Sequence, residues 1–130
     1  MNRRRIMVLK NQNAENVVFT KSLWTTTGAT SNQNIVSLSD FLGYKSGKTY
    51  RLTFDYDITT VNDGTNTIRV INTGAFGASG IIVDASTAGN HKDSASYDIT
   101  AKADGGMLLR FSISASTVTA TLKNLKVVEL

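Results

Sequence analysis

The chain has 130 residues, enough for one domain around one core, and without cysteine it excludes a disulfide framework or a thiolate metal site. Ten glycines, no prolines and abundant Thr, Ser, Asn and Val point to strands joined by tight turns rather than to helices. The net charge of +4 is local: Arg3, Arg4, Arg5 and Lys10 fall within the first ten residues, and the other 120 hold ten basic and ten acidic side chains. A neutral body lacks the phosphate-neutralising charge that nucleic-acid binding draws on.

The first elements follow from this asymmetry. Residues 1–14 read as a basic and apolar N-terminal arm, and residues 15–130 as a single β-sandwich domain. Ile6, Met7, Val8 and Leu9 make too short an apolar run for a secretory signal, which needs about 7–15 residues. No later run approaches the length of a membrane span, so a soluble chain without signal peptide or transmembrane segment is expected.

Residues 15–20 read as a first strand reaching as far as Trp24, and the polar, glycine-containing residues 25–34 as a loop. A short strand over 35–38 follows. Ser39 and Gly43 bracket a possible single helical turn. Residues 45–48 then turn the chain into its clearest element. Over residues 49–59, Tyr50, Leu52, Phe54, Tyr56 and Ile58 alternate with Arg51, Thr53, Asp55, Asp57 and Thr59. Side chains alternate across a strand, so this is a long strand with one face on a core and the other towards water or a ligand.

Asp63-Gly64 between strand-like runs predicts a hairpin, with residues 67–71 as the return strand. The glycine-rich residues 74–80 predict a hairpin or edge with Phe76 at its tip, leading into 81–83. Ala95, Tyr97 and Ile99 mark another half-buried strand, and Met107, Leu109, Phe111 and Ile113 a further one. Val118, Ala120 and Leu122 lie on even positions, whereas Leu125 and Val127 lie on odd ones. A change of parity at Lys123-Asn124 predicts a β-bulge. About eight strands with one apolar face each are accommodated economically by two antiparallel sheets packed face to face: an all-β sandwich of the jelly-roll kind.

Catalytic constellations are poorly supported, and no catalytic residue is assigned. His91, the sole histidine, sits in polar sequence with no partners for a triad or a zinc site. Asp55 and Asp57 share a face about 7 Å apart by strand rise, a spacing a glycosidase could use. A polar outer face paired across to Arg69 or Arg110 is the simpler expectation. Asn62, Asp63 and Asn66 offer oxygen ligands to calcium, but their spacing is not that of an EF-hand and suits an ordinary turn. Tyr50, Phe54, Tyr56, Tyr97 and Phe111 are in phase with apolar faces and read as core. Trp24, Tyr44 and Phe76 lie in or beside loops, where a ring can stack on a sugar, anchor a partner or pack locally.

The segment Lys45-Ser46-Gly47-Lys48-Thr49-Tyr50-Arg51-Leu52-Thr53-Phe54-Asp55 resembles the G-K-x-Y-x-L-x-F strand of the carbohydrate-binding-module superfamily with a galactose-binding-like jelly roll. The closing Leu122-Lys123-Asn124-Leu125 resembles that superfamily's Asp-Asn-hydrophobic pattern, with Lys123 in place of the aspartate, which counts against a structural calcium there. Such modules occur in polysaccharide-degrading enzymes and in bacteriophage tails, fibres and capsid surfaces. With its basic arm, the chain is similar to the second group.

The resemblance therefore implies a non-enzymatic virion accessory protein, a capsid decoration or tail component assembled in the host cytoplasm and carried on the virion surface. Arg3, Arg4, Arg5, Ile6, Met7, Val8, Leu9 and Lys10 would anchor it to capsid or tail proteins, or to further copies of itself. The alternative is a carbohydrate-binding module, with Trp24, Tyr44, Phe76, Arg51, Asp55 and Asp57 contacting a polysaccharide or cell-surface glycan.

Overall fold

A computed structural model describes residues 15–61, 68–74, 77–113 and 117–130. Eight strands follow one another: β1 (Asn16–Ala29), β2 (Gln33–Val36), β3 (Thr49–Thr60), β4 (Ile68–Gly74), β5 (Gly77–Asp84), β6 (Gly89–Thr100), β7 (Met107–Ile113) and β8 (Val118–Glu129). They form two four-stranded antiparallel sheets, ordered β1-β8-β3-β6 and β2-β7-β4-β5. Apart from the β4–β5 hairpin, every connection passes from one sheet to the other, which is the jelly-roll arrangement. Among the described residues there is no helix, and so none long and apolar enough to cross a membrane.

β3 alternates as its sequence predicts. Tyr50, Leu52, Phe54 and Ile58 are buried, while Arg51, Asp55 and Thr59 are exposed. They meet Leu109 and Phe111 of β7 across the sandwich, with Leu122, Leu125 and Val127 of β8 alongside in the same core. Fully burying each large apolar side chain contributes about 1.5–3 kcal/mol, so this interface dominates the stability. Trp24 stacks on Phe111 with ring centroids 5.9 Å apart, joining β1 to the facing sheet. Phe41, Tyr44 and Tyr50 meet edge to face at 4.9 Å each, and Phe19 adds a tilted contact to Phe41. This row covers one part of the core with the β2–β3 connection.

Several elements differ from the expectation. β1 does not stop near Trp24 but runs to Ala29, leaving residues 30–32 as the connection to β2. β1 is an edge strand, so Thr25 can face solvent while paired with Thr121 in the ladder, and its β-branched chain suits it. Residues 39–43 form no helical turn. Asp40 N–H donates to Ser37 O (3.0 Å) and the Asp40 carboxylate accepts from Ser37 N–H (2.9 Å), which closes a β-turn instead. β3 and β4 are not a hairpin, because β3 pairs with β6 and β8 in one sheet and β4 with β5 and β7 in the other. A turn signal in a sequence does not dictate which strands pair.

The bulge at Lys123-Asn124 is present. Thr53 faces Lys126 and Asp55 faces Lys123, so two residues of β8, Asn124 and Leu125, stand opposite Phe54 alone. Asn124 has φ 57°, the one non-glycine residue with positive φ among those described.

Candidate ligand-binding groove

β3 lies between β8 and β6, so its outward side chains form the midline of a polar surface. In register, Arg51 lies opposite Asp98, Asp55 opposite Ser94, and Asp57 opposite Lys92 on β6. On the other side, Thr53 faces Lys126 and Asp57 faces Thr121. A groove of about 470 Å³ runs over this surface, lined by Thr53, Asp55, Ser94, Ser96, Asn124 and Lys126, with Phe54 and Ala95 at its floor. A hollow of about 170 Å³ adjoins it at Asp55, and one of about 180 Å³ at Thr53 and Lys126. Together they follow β3 from Arg51 to Asp57, roughly 20 Å at the rise of a strand.

Asp55 is at the centre. Ser94 Oγ donates to its Oδ1 (2.6 Å) and Asn124 Nδ2 to its Oδ2 (3.1 Å). These bonds, Ser94 first and Asn124 second, hold the carboxyl below its ordinary value; desolvation opposes them and the Lys123 charge adds a lesser lowering. Asp57 accepts from Asn90 Nδ2 (2.6 Å), which also reaches Thr59 Oγ1 (3.0 Å). At the far end, Arg51 makes a bidentate pair with Asp98 (2.7 and 2.9 Å). Lys126 Nζ meets Glu15 at 2.6 Å.

The structure brings together Arg51, Asp55 and Asp57 as expected, but not with the partners expected. Arg69 and Arg110 belong to β4 and β7 of the other sheet, and the aspartates are held by neutral donors instead. Tyr44 is corrected from a ligand platform to a core residue: it is 1% exposed, and its phenol is raised well above the ordinary value by burial and then by Tyr50. Trp24 faces inward against Phe111, so its ring is not on the polar face. Tyr56 lines the hollow at Asp57, its phenol raised by burial and then by Asp93.

His91 Nε2 lies 2.7 Å from the Thr87 carbonyl and 3.4 Å from the Thr87 hydroxyl. Phe76, the calcium candidates Asn62, Asp63 and Asn66, and the arm residues Arg3, Arg4, Arg5, Ile6, Met7, Val8, Leu9 and Lys10 lie outside the described residues. Among the described residues, no three acidic or histidine side chains gather in a way that could hold a metal ion.

Ser94, Lys92 and Lys126 escaped the sequence reading as groove residues, and Asn90 as the partner of Asp57. The signal was there for β6: the polar positions Ser96, Asp98 and Thr100 continue backwards through Ser94, Lys92 and Asn90 in the same phase.

No protein-family model and no curated protein matches the chain. Solved structures similar to it at low identity include these three. The N-terminal cellulose-binding domain from Cellulomonas fimi β-1,4-glucanase C is 20% identical over 88% of this chain and 89% of that one, with a TM-score of 0.42. BiXyn10A CBM1 in its apo form is 13% identical over 88% and 99%, with a TM-score of 0.48. A structure of black queen cell virus is 11% identical over 90% and 63%, with a TM-score of 0.27. These values are too low to carry a ligand, a partner or a residue's role over to this chain.

Proposed function

We propose that the chain is a non-catalytic binding module whose polar groove takes a hydroxyl-rich glycan along β3. The observation that carries this reading is Asp55: an exposed carboxylate at the groove's centre, fixed in place by Ser94 and Asn124. An ionised carboxylate offers about four acceptor positions, so two are left for ligand hydroxyls. Thr53, Ser96, Asn124 and Lys126 add hydroxyl, amide and ammonium groups around it. That is the chemistry of polyol recognition. Of the aromatic side chains lining this surface, Phe54 is buried and Tyr56 is half-buried against the core, so affinity rests more on hydrogen bonds than on ring stacking.

Turnover fits the same groups badly. A glycosidic general acid needs a raised pKa, and the Asp55 carboxyl is lowered. The test is a glycan array followed by calorimetry with wild type and Asp55→Asn. Binding of a soluble glycan that weakens about tenfold or more in the variant, with the variant still folded at the assay temperature, is the expected result. A chain that binds no glycan, or an Asp55→Asn variant with wild-type affinity, overturns the reading.

Attachment to an acidic protein surface, such as that of a phage capsid or tail, is a second reading. It is supported by the placement of Arg3, Arg4, Arg5 and Lys10 ahead of a charge-balanced body. Affinity capture from the native source, with full-length chain and a variant lacking residues 1–10 as baits, tests it. Arm-dependent recovery of a virion protein is expected, and arm-independent recovery sinks it.

A further inference from the structure

The bulge in β8 puts a conformational oddity beside the central carboxylate. Asn124 adopts φ 57°, the left-handed region that suits glycine. The chain is not short of glycine: six described glycines take up positive φ elsewhere in the fold, two of them, Gly47 and Gly105, in connections. A glycine at position 124 would keep the bulge with less strain, but it would have no side chain. Because of the bulge, Lys123 and Asn124 are both exposed rather than split between the two faces of the sheet. The Asn124 amide therefore reaches across to Asp55 of the neighbouring strand.

We infer that Asn124 is a positioning residue: its left-handed backbone aims the side-chain amide at Asp55 and, with Ser94 on the opposite strand, sets the orientation of the groove's acceptor. The inference deepens the glycan reading for the same groove and rests on it for its functional consequence, though the Asn124–Asp55 relation can be tested without any glycan. It accounts for a residue that would otherwise be only a strained point in a strand. The two donors grip opposite oxygens, Oδ1 from β6 and Oδ2 from β8, so the carboxylate plane is fixed from both sides. The charged groups around it are Lys123 and Lys126 on β8, Lys92 and Asp93 on β6, and Arg51 and Asp57 on its own strand. They are the same in every variant below, which keeps the Asp55 comparison clean.

The experiment compares Asn124→Gly and Asn124→Ala with wild type in the full chain. Three quantities are read: the Asp55 pKa by NMR titration of its side-chain carboxyl, the melting temperature, and affinity for cellohexaose and xylohexaose as neutral soluble probes. Both variants lack the amide, so both should raise the Asp55 pKa, and both should weaken whichever probe binds by a similar factor of about fivefold to tenfold. They should differ in stability, because alanine tolerates the left-handed backbone badly and glycine does not mind it. Asn124→Gly should therefore melt above Asn124→Ala.

If Asn124→Gly keeps the wild-type Asp55 pKa, position 124 matters for its backbone alone and the inference is overturned. Should neither probe bind wild type while the pKa rises in both variants, Asn124 still positions Asp55. In that case the failure belongs to the neutral-glycan reading. If a probe binds and its affinity is unchanged in both variants, the positioning has no part in recognition, and the inference fails on that count.

Discussion

β3 and β8 lie side by side in one sheet and solve the same problem differently. β3 keeps strict alternation through its register with β6, so its inner and outer faces separate cleanly. β8 alternates at both ends but spends an extra residue at Asn124. Its buried residues shift from Ala120 and Leu122 to Leu125 and Val127, and the two residues between them are exposed. Regular alternation builds the core. The interruption, placed opposite Phe54, puts an additional polar side chain where the groove is largest.

The largest effects should come from the apolar sides of these two strands. Phe54→Ala removes a ring that is 2% exposed and should cost about 3–5 kcal/mol in denaturant unfolding. Leu125→Ala, on the bulged strand beside it, should cost about 2–5 kcal/mol. If Leu125→Ala unfolds at the wild-type denaturant concentration, the bulge is not packed into the core and the contrast between the strands dissolves. Trp24→Ala comes next, at about 1–3 kcal/mol for a half-buried ring stacked on Phe111. Its affinity for glycan should be unchanged. A loss of affinity without loss of stability would return Trp24 to the binding surface.

The contrast also explains what could be read from the sequence. Alternation is a local property, so β3 was legible residue by residue, and the parity switch after Leu122 was enough to locate the bulge. The partners of Asp55 were not legible. Ser94 and Asn124 lie 39 and 69 residues away, on strands that flank β3 only because the chain crosses repeatedly between the two sheets. Local pattern names the outward residues of a strand but not the neighbour each one meets. Tyr44 misled for a related reason. It sits in a connection, yet that connection folds back over the core, where Phe41 and Tyr50 enclose the ring and Lys45 N–H donates to the Tyr50 hydroxyl (2.9 Å).

A smaller effect should appear in acid. Asp55 and Asp98 are both held below their ordinary values, Asp55 mainly by Ser94 and Asp98 mainly by Arg51. A carboxyl lowered on folding adds stability above its unfolded pKa of about 3.9, and that stability is lost as pH falls through the folded value. Melting temperature should therefore hold between pH 7 and about 5 and decline below about pH 4. Asp55→Asn should flatten part of that decline. A decline already complete at pH 5 would mean that other groups control it.

The smallest effect should come from the far end of β3, where regular alternation pairs Arg51 with Asp98. The geometry of this pair is bidentate, but its side chains remain 48% and 45% exposed. Exposed ion pairs gain little, because water screens them and two flexible side chains lose freedom in forming them. Arg51→Ala should therefore melt within experimental error of wild type at moderate salt, although it removes a bidentate ion pair. Its groove effect should be smaller than that of Asp55→Asn, because Arg51 lines the adjoining hollow and not the central groove. If Arg51→Ala instead weakened glycan binding more than Asp55→Asn, recognition would centre on the regular end of the strand. The bulge would then be incidental to it.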